Sequence, residues 1–72
     1  MIDLQDYDVL MGSDVVNDTM YIEVSGKQGY LLTVVRSDAD GTMTLHSGES
    51  ELPVELVEWA IAEARRRLAG RG

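Results

Sequence analysis

The fold of this chain is decided by its C-terminal stretch, residues 53–69, which reads PVELVEWAIAEARRRLA. Apolar side chains recur there at alternating steps of three and four residues, which is the spacing of one face of an α-helix. This stripe consists of Val54, Val57, Ile61, Ala64 and Leu68. A proline at the start, glutamates near it and arginines at the end also favour a helix. The pattern predicts a helix over about 53–69.

Three segments upstream of the helix have the alternation, or the content of β-branched and aromatic residues, that is typical of strands. They are residues 20–24, 30–36 and 42–46, and they are separated by the turn-forming segments 26–29 and 38–41. Because the turns are short, consecutive strands pair antiparallel. The sequence therefore predicts an α+β fold, with a three- to four-stranded antiparallel meander packed against one C-terminal helix.

The first 19 residues leave alternatives open. Their apolar residues allow a short helix, and the pair Val15–Val16 could instead begin or extend the first strand. The residues of the possible helix are Ile2, Leu4, Tyr7, Val9 and Leu10.

Length and composition indicate a single acidic domain, residues 1–72. The chain contains no cysteine, so disulfides and thiolate metal sites are excluded. The N-terminus lacks the apolar core of a secretory signal, and no apolar run is long enough to span a membrane. We expect a cytoplasmic, soluble monomer.

The charge is strongly asymmetric. The chain has 13 acidic and 6 basic residues, for a net charge of −7. Residues 1–64 contain all the acids but only two bases, Lys27 and Arg36, which leaves −11. Two interpretations stay open, a well-solvated acidic surface and a dedicated acidic binding face. The lack of a basic patch with interleaved aromatics argues against direct nucleic-acid binding.

The sequence offers little equipment for catalysis. His46 and Ser47 are adjacent, so on a strand they point to opposite faces and cannot share a proton. No glycine-rich phosphate loop is present. We predict no catalytic residue and no cofactor, and therefore a protein that is not an enzyme.

One arrangement of oxygen ligands resembles a calcium loop. Asp38, Asp40, Thr42 and Glu49 fall on positions 1, 3, 5 and 12 of an EF-hand, but Met43 occupies position 6, where glycine is required. Aspartates and a glycine are also typical of an ordinary hairpin turn. We therefore predict a turn and no metal site.

Trp59 lies nearly opposite the apolar stripe on a helical wheel. Its neighbours on that side include Glu55 and Glu63. It could be an exposed aromatic anchor surrounded by carboxylates. Alternatively, the N-terminal segment could bury it through Tyr7 or Leu10, since a chain without phenylalanine has few large aromatics for its core.

In size, acidity, lack of cysteine and predicted fold, the chain resembles the small phage-encoded anti-CRISPR proteins, specifically inhibitors of type I-C interference complexes. The run 51–57, ELPVELV, with the following Ala60, is similar to a C-terminal helix in a family of immunity proteins of bacterial toxin systems. Both resemblances imply a stoichiometric acidic inhibitor of a basic, nucleic-acid-handling surface.

We accordingly predict a DNA-mimicking inhibitor that binds a basic protein surface on a subunit of a CRISPR effector complex. We predict that it binds neither nucleic acid nor a membrane directly. The alternatives are an immunity protein or antitoxin and a non-catalytic adaptor subunit. The predicted partner-binding residues are Asp3, Asp6, Asp8, Asp14, Asp18, Glu23, Asp38, Asp40, Glu49, Glu51, Glu55, Glu58, Trp59 and Glu63.

Overall fold

The computed structural model describes residues 4–48 and 51–68. A 3-10 turn, Leu4–Asp6, precedes four strands and one helix. Their bounds are β1 Asp8–Asp14, β2 Thr19–Gly26, β3 Gly29–Ser37, β4 Met43–Ser47 and α1 Val54–Arg67. The strands form one antiparallel sheet in the order β1-β2-β3-β4. The predicted α+β meander with a C-terminal helix is confirmed, with β1 as its fourth strand.

The sheet and α1 meet over the two central strands. Ile22 and Val24 of β2 are buried, and their cross-strand partners Val34 and Leu32 of β3 are buried beside them. Successive strand residues point to opposite faces, so these four side chains lie on the side of the sheet that α1 covers. The predicted inward face of β2 is confirmed at Ile22 and Val24.

A β-bulge widens this apolar surface. Val24 pairs with Leu32 and Ser25 pairs with Tyr30, so Leu31 is an extra residue on β3. Leu31 packs against the core as a half-buried residue, next to the fully buried Leu32. The bulge therefore lets two consecutive leucines contribute to the core.

The buried face of the helix is rotated from the predicted stripe, with which it shares Ala64 and Leu68. Its buried residues are Leu56, Ala60, Ala64 and Leu68, whereas Val54 is 70% exposed. The predicted stripe was therefore wrong at Val54. The small alanines allow the helix backbone to lie close to the sheet, and the leucines fill the space at either end. Among the described residues, no helix has the length and apolar character that crossing a membrane requires.

Residues 4–18 follow neither of the predicted alternatives, and Ile2 of the predicted helix lies outside the described residues. Residues 8–14 form edge strand β1, and Val15 and Val16 lie in the following turn, where they are 89% and 92% exposed. The Asp14 carboxylate accepts hydrogen bonds from the backbone N–H groups of Val16 and Asn17. This side-chain capping offers the backbone a turn in place of a continued strand, so the two valines end outside the sheet.

Candidate acidic binding surface

The sheet has a second side that faces away from α1, which we call the open face. The alternation along each strand and the pairing register define its residues. They include Asp8, Leu10, Gly12, Asp14, Thr19, Tyr21, Glu23, Thr33, Val35, Thr44 and His46. None of the described strand residues on this face is a lysine or an arginine.

The open face also has an aromatic contact at its β1 side. A Cβ atom built on Gly12 would lie 2.5 Å from Cζ of Tyr21, so the tyrosine ring lies directly against the backbone of Gly12. Leu10 is exposed on the same face. Carboxylates on this surface are therefore interspersed with apolar side chains.

Two turns meet at one end of the sheet. The backbone N–H of Asp38, in the β3–β4 turn, donates a 3.0 Å hydrogen bond to the backbone oxygen of Asp18, in the β1–β2 turn. This contact gathers four of the predicted aspartates, Asp14, Asp18, Asp38 and Asp40, at what we call the acidic end. The contact continues the antiparallel pairing of β2 with β3, in which Thr19 lies opposite Ser37.

Two aspartates of the acidic end hold their own turns together. Asp14 accepts a 2.7 Å hydrogen bond from Nδ2 of Asn17, and Asp40 accepts bonds of 3.0 and 2.8 Å from N and Oγ1 of Thr42. The Asn17 side chain is the main cause of the lowered pKa of Asp14. The backbone N–H of Thr42 is the main cause of the lowered pKa of Asp40. These carboxylates are therefore part of the scaffold.

Three further carboxylates are ion-paired. Asp38 lies 3.1 Å from Arg36, and the exposed Asp6 lies 4.0 Å from Lys27. Glu63, whose side chain is 17% exposed, lies 2.7 Å from Arg66 and 2.9 Å from Arg67. Hydrogen bonds from Arg66, and then from Arg67, lower the pKa of Glu63, and Glu63 in turn raises the pKa of Arg66.

The remaining described carboxylates make no hydrogen bond or ion pair within the described part of the chain. They are Asp8, Asp18, Glu23, Glu51, Glu55 and Glu58. The first three belong to the sheet, on the open face or the acidic end, and the other three lie at the start of α1 or just before it. The predicted site residues are thus divided between two layers and do not form one surface. Asp3 and Glu49 lie outside the described residues.

Trp59 is half-buried and packs against the core. Because the buried face runs through Leu56 and Ala60, it is rotated toward Trp59 relative to the predicted stripe. Leu10 cannot cover it, since Leu10 lies on the open face, beyond the sheet. Of the two alternatives for Trp59, the structure supports a role in the core.

The other sequence motifs lie on the surface. His46 is exposed on β4, and the segment 38–41 forms the turn predicted for it, while Glu49 of the calcium-like pattern lies outside the described residues. Among residues 4–48 and 51–68, no group of three or more histidine, aspartate or glutamate side chains could hold a metal ion.

Sequence reasoning missed two grooves, since both depend on contacts between distant segments. One, of about 410 Å³, lies between the β2–β3 turn and the start of α1 and includes Tyr7, Leu31 and Leu52. The other, of about 190 Å³, lies between β4 and α1. No family model matches the sequence, and no curated protein or solved structure is significantly similar to it.

Proposed function

We propose that this protein is a non-catalytic acidic inhibitor, which binds a basic surface that another protein uses to hold nucleic acid. The contact surface is the open face together with the acidic end. One observation carries the proposal: residues 4–48 contain seven acidic and two basic residues, and the side-chain carboxylates of Asp8, Asp18 and Glu23 make no hydrogen bond or ion pair within the described chain.

The unengaged carboxylates lower the stability of the folded domain, and no hydrogen bond or ion pair within the described residues offsets this effect. Like charges on a small domain repel one another and destabilise the compact state. The same charges accelerate encounter with a basic partner and occupy lysines and arginines that otherwise contact phosphates. Because the described strand residues of the open face include no lysine or arginine, both the repulsion between its carboxylates and their attraction to a basic partner are strong.

The charges of the open face extend over much of its length. At a rise of about 3.4 Å per residue, Asp8 and Asp14 at the two ends of β1 are separated by about 20 Å. Glu23 lies between them, opposite Leu10 on the neighbouring strand. A basic surface of that length spans all three carboxylates.

The resemblance to anti-CRISPR proteins names the first partner to test, a type I-C interference complex. The similarity of residues 51–57 to immunity proteins makes a nuclease toxin the second. In either case the inhibitor competes with nucleic acid for the same basic groups.

The deciding experiment compares two triple variants with equal changes in charge. The open-face variant is Asp8→Asn, Asp18→Asn and Glu23→Gln, and the helix-side variant is Glu51→Gln, Glu55→Gln and Glu58→Gln. Asn at position 18 tolerates the positive φ of Asp18, which is 56°. Binding to the interference complex, and displacement of its DNA, are measured over a series of salt concentrations.

We expect the open-face variant to bind about tenfold more weakly, with a flatter salt dependence, because exposed charges contribute up to about 1 kcal/mol each. The helix-side variant keeps most of the parent's affinity. Equal losses in both variants would show that net charge alone matters and would contradict a defined surface. Unchanged affinity in the open-face variant, or a shallow salt dependence in the parent, would favour an apolar adaptor instead.

A further inference from the structure

The two edge strands of the sheet differ in how they are protected. Charged residues are a common protection of exposed edges against pairing with another chain. Edge strand β1 begins with Asp8 and ends with Asp14, whereas β4, Met43–Ser47, contains no charged residue, proline or bulge. On this criterion β4 is the open edge.

The hydrogen bonds that flank β4 show which of its backbone groups point outward. Ser37 N–H donates to the oxygen of Thr42 at 2.9 Å, and Gly48 N–H donates to the oxygen of Leu31 at 3.0 Å. In an antiparallel pair, every second residue points its N–H and C=O toward the neighbouring strand. Both bonds assign the inward direction to the even-numbered residues of β4.

Thr44 and His46 therefore hydrogen-bond with β3, while the N–H and C=O groups of Met43 and Leu45 point away from the sheet. The side chains of Met43 and Leu45 lie on the α1 side and are each 36% exposed. An unpaired backbone edge and incompletely covered apolar side chains thus occur at the same two residues.

A groove lies beside this edge, between β4 and α1. It has a volume of about 190 Å³ and is lined by apolar side chains of three elements, Val34, Met43, Leu45 and Ile61, with Arg65 among its lining residues. A side chain from an added strand would lie beside Met43 and Leu45 and could enter the groove. Because Arg65 is there, an uncharged side chain fits better than a basic one.

The charges around β4 favour basic residues at the two ends of such a segment. Asp40 and Asp38, which is ion-paired with Arg36, precede the strand, and Glu51 follows it. Together with the net charge of −7, they attract a basic segment and disfavour a second copy of this chain.

We propose that β4 is the docking edge for an extended segment of the basic partner, which adds antiparallel to it as a fifth strand. The segment carries lysines or arginines at both ends and alternating apolar and polar uncharged residues between them. Its backbone pairs with Met43 and Leu45, and its apolar side chains cover the groove, as in other cases of β-strand addition. This inference rests on the proposed function, because it assigns the basic partner a specific means of attachment.

The test uses the full chain and a capped synthetic peptide, Lys-Lys-Val-Thr-Val-Thr-Val-Arg-Arg. Residues opposite Met43 and Leu45 have side chains on the same side, so the valine amides face β4 and the threonine amides face solvent. N-methylation of the valines should weaken binding about tenfold or more, and N-methylation of the threonines should have little effect. A scrambled peptide of equal charge is the control for purely electrostatic binding.

Amide hydrogen exchange gives a second readout on the unmodified protein. The amides of Thr44 and His46 are protected in the free chain, whereas those of Met43 and Leu45 should become protected only when the peptide binds. The matched variants Leu45→Pro and Leu45→Ala both lose the side chain, but only the proline loses the outward N–H. Leu45→Pro should bind the peptide more weakly than Leu45→Ala, with β3–β4 amide protection as the check on folding.

Several outcomes would overturn the docking edge. They are equal binding of the scrambled peptide, equal effects of the two N-methylations, no binding of the peptide, and protection of Met43 and Leu45 in a concentration-dependent dimer of the free chain. The open-face triple variant separates the two proposals. If peptide pairing at β4 is observed but that variant inhibits the partner normally, the proposed inhibitory surface fails and the docking edge stands.

Discussion

The sheet and the helix differ in how far basic residues balance their acidic residues. Residues 4–48, which include the sheet, have seven acidic and two basic residues, whereas residues 51–68 have four acidic and three basic ones. In the helix, Glu63 contacts both Arg66 and Arg67, while on the sheet the carboxylates of Asp8 and Glu23 have no partner in the described chain. Both layers contain engaged and unengaged carboxylates, since Asp14 and Asp40 bond within their turns. The layers differ in their cations: arginines of the helix offset its acidic charge, whereas the described strand residues of the open face include no lysine or arginine.

The largest expected effect concerns the packing that joins the two layers. Leu56 is 1% exposed, and Leu56→Ala should lower the free energy of unfolding by about 2–5 kcal/mol, since it leaves a cavity between helix and sheet. The matched change Val54→Ala removes an exposed side chain of the same helix and should alter stability by less than about 0.5 kcal/mol. Urea denaturation of both variants is the measurement. A larger loss from Val54→Ala would restore the predicted stripe and contradict the observed helix orientation.

The sequence predicts most of the fold, and its failures have local physical causes. Strands β2 to β4 and the helix follow from alternation and periodicity. The helix face was misjudged because two overlapping stripes share Ala64 and Leu68, and Val54 appears more apolar than Ala60 does. Only the close approach of helix to sheet decides between them. Strand β1 has the unbroken apolar run 9–11 and no alternation, which a short helix also allows.

The candidate site could be predicted in part. Asp14, Asp40 and Glu63 bond to residues two to four positions away, so local spacing could have separated these structural carboxylates from the unengaged ones. The meeting of the two turns at the acidic end follows from the predicted antiparallel pairing of β2 with β3. The groove beside β4 depends on how α1 packs against the sheet, and no sequence period encodes it.

A smaller effect tests whether the helix charges stabilise the domain. Glu63→Gln should lower the free energy of unfolding by about 0.5 kcal/mol at neutral pH, because it weakens two contacts within one helix. Glu58→Gln, at an exposed position whose carboxylate has no partner among the described residues, is the control and should have a smaller effect. Thermal and urea denaturation at several pH values measure both.

The pH dependence of the Glu63 effect has a defined sign. Its pKa in the folded protein is lowered from an ordinary value of 4.5. A carboxyl of this kind contributes stability above its unfolded pKa and loses that contribution as pH falls through its folded pKa. The difference between parent and Glu63→Gln should therefore be constant near neutrality and shrink below about pH 4.5. A difference that persists in strong acid would assign the effect to packing and not to charge.

The smallest expected effect is the change in stability when charges are removed from the sheet or from the helix, and its sign should differ between the two. The open-face triple variant, Asp8→Asn, Asp18→Asn and Glu23→Gln, removes charges that only repel their neighbours, so it should raise stability by a few tenths of a kcal/mol at low salt. The helix-side triple variant removes the same charge near the helix N-terminus, where Glu55 in the first turn interacts favourably with the helix dipole. It should therefore lower stability slightly. Both differences should vanish near 1 M salt, where the Debye length is about 3 Å. If the open-face variant is instead the less stable of the two at low salt, the three carboxylates that it replaces stabilise the fold. They would then have a structural role in place of the proposed role in binding a partner.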